Sequence, residues 1–239
     1  MSTATASLTL VCLPGAGGSA RRFLRWRERL GPEVRVVPLD LPGRGLSRRQ
    51  PASGSLEQAA RALLPAVRGL GRYAVFGHSL GALLGYELTR RACALGAPPE
   101  FLVAAACRAP DDGAPGLREG LAERDDDRFV AGITRLGVVA EGSLDSPMAR
   151  HFLPDLRADL ALVAGYAPPR PEPLPVDVLA WYGTEDPLAP GDAVPRWARY
   201  TGAACAVTAF RGGHAFPQER EEEVVRALRE HAVGGVDSH

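Results

Sequence analysis

The segment Gly77-His78-Ser79-Leu80-Gly81 constrains this chain more than any other. It follows the apolar run Tyr73-Ala74-Val75-Phe76 and opens a helix-like run from Ala82 to Leu88. A serine therefore stands at a sharp turn between a strand and a helix. The glycines on either side permit a strained turn and close backbone approach, which leaves the Ser79 hydroxyl clear of the sheet. The pattern alone arises by chance in roughly one of eight chains of this composition. Its surroundings must carry the argument.

Those surroundings alternate short apolar runs with helical patterns. Strands are predicted at 8–13, 34–39, 73–76, 101–107, 176–182 and 204–210, with helices at about 20–30, 56–69 and 218–233. This rhythm predicts an α/β fold with a mainly parallel central sheet and helices on both faces. The last helix should bury Val224, Val225, Leu228 and Ala232 on one face. Residues 109–175 break the rhythm: an acidic stretch, helical patterns at about 128–136 and 147–166, then a Pro-rich return from Ala167 to Pro175. We read residues 1–239 as one domain with a helical lid inserted at about 110–175, a plain helical subdomain being the alternative. The tail from Gly234 to His239 reads as frayed.

A serine hydroxyl needs a base to take its proton, and the base needs an orienting acid. His214 follows the predicted strand 204–210, and Asp186 follows the strand 176–182. Both thus fall on loops at carboxyl ends of strands, where Ser79 should emerge, and in the chain order serine, acid, histidine. Glu185 competes with Asp186, but the shorter side chain beside Pro187 suits a tight turn. His78 should point away from Ser79. His151 reads as a partly exposed residue of the insertion, and His231 and His239 as surface and tail. Two backbone N–H groups should receive the developing oxyanion. Leu80 follows the nucleophile at a helix start, and Ala16 lies in the compact loop Pro14-Gly15-Ala16-Gly17-Gly18. That loop lacks the Lys-Ser/Thr of a phosphate-binding loop and breaks the dinucleotide-binding glycine spacing.

Net charge is zero and all 28 basic side chains are arginine, so nucleic acid and anionic membranes are not expected partners. Charge is nonetheless uneven: arginines crowd residues 21–49, and acids crowd 111–127. Solvated surface explains both, and a basic face for an acidic partner is the sharper reading. Cys12, Cys93, Cys107 and Cys205 are too widely spaced for a metal or redox pair, so no metal is expected. The N-terminus shows no signal-peptide pattern and no apolar run is long enough to span a membrane. A cytoplasmic monomer is expected.

With these residues placed, the chain resembles the type II thioesterases of polyketide and nonribosomal peptide pathways, which have the α/β-hydrolase fold. The resemblance rests on Leu13-Pro14-Gly15-Ala16-Gly17-Gly18, Leu41-Pro42-Gly43-Arg44-Gly45, the Ser79 segment, Arg108-Ala109-Pro110, Leu156-Arg157-Ala158-Asp159 and Gly212-Gly213-His214. It implies hydrolysis of acyl groups from the phosphopantetheine thiol of an acyl or peptidyl carrier protein, met transiently, in an editing role and without a cofactor. It makes Ser79 the nucleophile, His214 the base, Asp186 the acid, and Ala16 with Leu80 the oxyanion donors. Two positions depart from the family's pattern: Gly15, often His or Tyr, and Ala106-Cys107, usually Ser-Gly. A product-releasing thioesterase, or a carboxylesterase or lipase with the same triad, are the alternatives. Apolar residues of the insertion (Phe129, Val130, Leu136, Val138, Val139, Phe152, Leu153, Leu160 and Leu162) are expected to form an acyl chamber. The arginines at 21, 22, 25, 27 and 29 are candidates to meet an acidic carrier.

Overall fold

The structure, a computed structural model, describes residues 8–168 and 170–234. The N-terminal residues behind the signal-peptide reading, Pro169 of the Pro-rich return, and tail residues 235–239 with His239 lie outside the described residues. Six parallel strands form the sheet: β1 (Leu8–Leu13), β2 (Val34–Pro38), β3 (Tyr73–His78), β4 (Phe101–Ala105), β5 (Asp177–Gly183) and β6 (Cys205–Phe210), in the order β2-β1-β3-β4-β5-β6. The strand bearing the serine turn is therefore central, and it is buried along its whole length.

Helices cover both faces, as the period-two alternation of the strands requires. On one face α1 (Trp26–Leu30) and α9 (Glu221–Gly234) pack with Leu10, Cys12, Phe76, Val103 and Trp181. On the other α2 (Leu56–Val67) and α3 (Leu80–Ala94) pack with Val11, Leu13, Val75, Leu102 and Ala180. Phe76 sits amid an aromatic cluster, with ring centroids 4.9 Å from Trp26, 5.8 Å from Phe23 and 6.4 Å from Trp181. Helix α9 buries Val224, Val225, Leu228 and Ala232 as its spacing predicts.

Several elements differ from expectation. Residues 20–30 are not one helix: a 3₁₀ turn over Ala20–Arg25 precedes α1. Residues i and i+3 eclipse in a 3₁₀ turn, which sets Ala20, Phe23 and Trp26 in line against the sheet. Between β4 and β5 the chain forms α4 (Leu117–Ala122), α5 (Asp126–Arg135), α6 (Pro147–Arg150) and α7 (Leu153–Gly165). The helix expected at 147–166 is thus broken at His151-Phe152, where Pro154 inside the first turn of α7 cannot continue a preceding helix. A short α8 (Phe216–Glu219) precedes α9.

Part of each charged run is paired within the fold. Arg25 and Arg29 pair with Glu221 of α9 at 3.3 and 3.4 Å. In the acidic run, Asp111 pairs with Arg199 at 2.8 Å, Asp126 with Arg157 at 2.9 Å, and Asp112 with Arg196. All four cysteines are free, with Cys12 and Cys107 buried. Among the described residues no helix is long and apolar enough to cross a membrane.

One buried charge ties the β4–β5 segment to α3. Glu87 is 2% exposed; it accepts from Arg90 at 3.1 Å, from the Tyr166 hydroxyl at 2.8 Å, and from Arg91. Burial opposes its ionisation, but these partners outweigh burial and hold its carboxyl below the usual range. A depressed folded pKa contributes stability above the unfolded value near 4.3, lost as pH falls through the folded one. The wild-type melting temperature should therefore fall more steeply below about pH 4.3 than that of Glu87→Gln, as thermal denaturation across pH would show. Phe76→Ala should cost about 3–5 kcal/mol, read from the urea midpoint.

Candidate active site

The serine turn is built by backbone contact. Ser79 has φ 54° and ψ −117°, a left-handed φ in a residue with a side chain. Its N–H donates to the Ala105 carbonyl at 2.8 Å and its carbonyl accepts from Ala82 at 2.8 Å. A Cβ at Gly77 would stand 2.1 Å from the Gly81 carbonyl oxygen, and one at Gly81 would stand 2.3 Å from the Leu13 carbonyl oxygen. Only glycine at both positions lets β1, β3 and α3 approach closely enough to hold the strain.

His214 and Asp186 converge on Ser79 from the ends of β6 and β5. His214 Nδ1–H donates to Asp186 Oδ2 at 2.9 Å, which leaves Nε2 to accept from the Ser79 hydroxyl at 2.9 Å. Asp186 is 3% exposed. Burial works to raise its pKa, but the His214 hydrogen bond and the N–H groups of Leu188 (2.9 Å) and Ala189 (3.2 Å) hold it lowered. The carboxylate therefore stays ionised and oriented. Glu185, the competing acid, is exposed.

The two loops meet because Gly183 has no side chain: a Cβ there would stand 2.4 Å from both the Gly212 and Gly213 carbonyl oxygens. Arg108 donates to the Leu188 carbonyl at 2.6 Å and so braces the acid's loop from β4, a role the Arg108-Ala109-Pro110 segment does not announce. His78 is engaged by the His214 loop. Its Nε2–H donates to the His214 carbonyl at 2.9 Å, and burial, reinforced by the nearby His214, lowers its pKa to about 3. It is a neutral brace for the His214 loop. A Cβ at Gly15 would lie 3.1 Å from His78 Nδ1. Ala106, at the second departure, takes φ 52°, a left-handed value in a residue with a side chain.

The N–H groups of Ala16 and Leu80 make no hydrogen bond among the described residues, and Leu80 begins α3, where the helix dipole favours negative charge. Space opens on two sides of Ser79. One is an apolar cavity of about 70 Å³, walled by residues such as Leu83, Cys107, Leu117, Leu160, Val163 and Tyr166. The other is a cleft of about 300 Å³ bounded by Gly15–Gly18, Arg22, Ser143 and Gln218. Val138 borders both.

Of the nine residues expected to wall an acyl chamber, only Val138 and Leu160 reach the apolar cavity. Phe129 and Leu153 are buried with Ile133 and Leu156 in the segment's own cluster, of which Leu117 and Leu160 are the members that reach the cavity. Val139 borders the cleft instead, Leu162 packs on the main core, and Phe152 is 47% exposed. Val130 and Leu136 are part-buried and line neither space. The apolar periodicity of α5 describes packing within the segment, not toward substrate. His151 is exposed and lines neither space.

Gly183→Ala should force the acid and base loops apart. A displacement of about 1 Å costs on the order of 10²-fold in rate. Labelling of Ser79 by a fluorophosphonate probe, followed by mass spectrometry, should slow by that order while circular dichroism stays native.

The thioesterase domain family matches residues 8–231. Thioesterase PikA5 of Streptomyces venezuelae is 35% identical over 232 residues, covering 95% of this chain and 82% of that protein. Among solved structures, RedJ, a thioesterase from the prodiginine biosynthetic pathway in Streptomyces coelicolor, superposes with a TM-score of 0.83 at 36% identity, covering 95% of this chain and 87% of RedJ. BorB, the type II thioesterase from the borrelidin biosynthetic cluster, gives 0.83 at 28% identity over 96% of this chain and 94% of its own. A Ser-His-Asp geometry on a parallel sheet, matched along nearly its whole length, assigns the chain: it belongs to the thioesterase family and is similar to its type II members.

Proposed function

We propose that this protein hydrolyses acyl groups from the phosphopantetheine thiol of acyl or peptidyl carrier proteins in polyketide or nonribosomal peptide synthesis, in an editing role. The observation that carries the reading is His214 bridging Ser79 and Asp186 at 2.9 Å on each side, between an apolar cavity and an open cleft. The apolar cavity takes the acyl chain, and the cleft admits the pantetheine arm. A cavity of about 70 Å³ suits a short acyl group. A small stalled or misprimed unit fits it better than a mature product does. Helices α4–α7, with Val138 between cavity and cleft, serve as the lid of a single domain. The relatives named for the prodiginine pathway and the borrelidin cluster support the same substrate class.

In the first step Ser79 Oγ attacks the thioester carbonyl as its proton passes to His214 Nε2. The oxyanion of the tetrahedral intermediate accepts from the Ala16 and Leu80 N–H groups, while Asp186 stabilises the imidazolium. Collapse breaks the carbon–sulfur bond, and the thiolate leaves with the proton from His214. Water then attacks the acyl-Ser79 ester, giving its proton to His214. Collapse frees the carboxylic acid and returns that proton to Ser79. Every group in the cycle belongs to this chain, the carrier or water.

Ser79→Ala should abolish turnover of acyl-pantetheine, by about 10⁶-fold in kcat as for a serine acting within a triad, without loss of fold. Offered carrier proteins bearing acetyl, medium-chain and full-length groups, the wild type should hydrolyse the short ones fastest. Preference for the full-length chain would reverse the editing assignment, and faster cleavage of a p-nitrophenyl ester than of the matching acyl-pantetheine would point to an oxygen esterase.

A further inference from the structure

Two motifs do no chemistry in this cycle: Leu41-Pro42-Gly43-Arg44-Gly45 and Leu156-Arg157-Ala158-Asp159. They meet beside the Gly15–Gly18 loop. Asp159, on α7, is 2% exposed. Its Oδ2 accepts from the Gly17 N–H at 2.9 Å, and its Oδ1 from Arg44 Nη2 at 3.1 Å. Arg44 also donates to the Asp155 carbonyl and pairs with the Asp155 carboxylate, each at 3.3 Å. Burial holds the Asp159 carboxyl above its usual range, and the Gly17 N–H and Arg44 offset only part of that.

A hydrogen bond to Gly17 fixes the peptide plane that follows Ala16. On its other side, Gly18 N–H donates to the Gly15 carbonyl at 2.9 Å and closes a turn around Ala16. Gly17 takes φ +65°, and Leu156 Cδ1 lies 3.0 Å from where a Cβ would stand, so α7 rests directly on this loop. Ala16 is left between two held peptides with its own N–H uncommitted among the described residues.

We infer that Asp159 is a positioning residue for the oxyanion hole, aiming the Ala16 N–H by gripping Gly17, with Arg44 as the counter-charge that keeps its carboxylate in place. Asp159 belongs to the β4–β5 segment, whereas Gly17 and Arg44 follow β1 and β2. The oxyanion loop is therefore held in its working form only while α7 is seated. This rests on the reading of Ala16 and Leu80 as oxyanion donors to a Ser79 acyl transfer.

The test compares Asp159→Ala and Asp159→Asn with wild type on an acyl-pantetheine, and measures affinity for an acyl trifluoromethyl ketone that forms a tetrahedral adduct. Losing one oxyanion donor costs about 10²–10³ in kcat, so misaiming one by Asp159→Ala should lower kcat about 10- to 100-fold. KM should stay within about threefold, and ketone affinity should fall in step with kcat. Asp159→Asn keeps an oxygen for Gly17 and should recover a large part of both. The inference is overturned by unchanged kcat per folded molecule, by a loss confined to KM, or by ketone affinity that does not track kcat. Where Asp159→Ala does not fold, Arg44→Gln replaces it, with a smaller kcat loss expected and an unchanged kcat counting against the inference. Turnover that survives Ser79→Ala would remove the serine reading itself. Ser79-dependent turnover indifferent to Asp159 would remove only this inference.

Discussion

The whole arrangement depends on how closely three pieces of backbone approach at the carboxyl edge of the sheet. Gly81 lies against the Leu13 carbonyl and Gly77 against the Gly81 carbonyl, so β1, β3 and α3 meet with no side chain between them. That contact holds Ser79 at a positive φ, a strain of roughly 1–3 kcal/mol that a looser turn would release. It also sets the N-terminus of α3 beneath the hydroxyl and the first loop beside it. A second bare approach, Gly183 against Gly212 and Gly213, does the same for the loops of Asp186 and His214. The site is thus positioned by absent side chains, and the sheet supplies the rigidity that lets such gaps stay closed.

Around this frame, buried polar groups fix what packing alone would leave free. Arg108 holds the Asp186 loop, His78 the His214 loop and Asp159 the first loop. Each spans more than 60 residues of sequence, and each ends on a backbone group. Side chains that pin backbone, with their own hydrogen bonds satisfied, hold a site in shape at less cost than buried charge left unpaired.

The parts legible in the sequence were those carried by local pattern. The apolar runs of β1 and β3, the face of α9, and the glycines around Ser79 follow from short-range spacing, and the order of Ser79, Asp186 and His214 follows from which loop ends each strand. What local pattern could not carry was the choice among partners for an apolar face. Phe129 and Leu153 are as apolar as Leu160, and only tertiary packing turns the first two inward within their own segment and the third toward the cavity. The supporting contacts were equally hidden. Nothing near Asp159 in sequence names Gly17, and nothing near His78 names the His214 carbonyl. The short α4 and the break before α7 escaped for a related reason: pieces of four to six residues are too short to show a helical period.

The wall of the apolar cavity has two origins. Leu83 and Cys107 come from or beside the sheet and α3, whereas Leu117, Val138, Leu160, Val163 and Tyr166 all come from the segment between β4 and β5. That segment is also anchored from within, by Tyr166 on Glu87 and Asp159 on Arg44. It can therefore be treated as an exchangeable module, since recasting its inner side chains reshapes the chamber without disturbing the serine turn. The module is not neutral cargo, however. Because it carries Asp159, exchanging it also removes the carboxylate that grips Gly17 in the first loop.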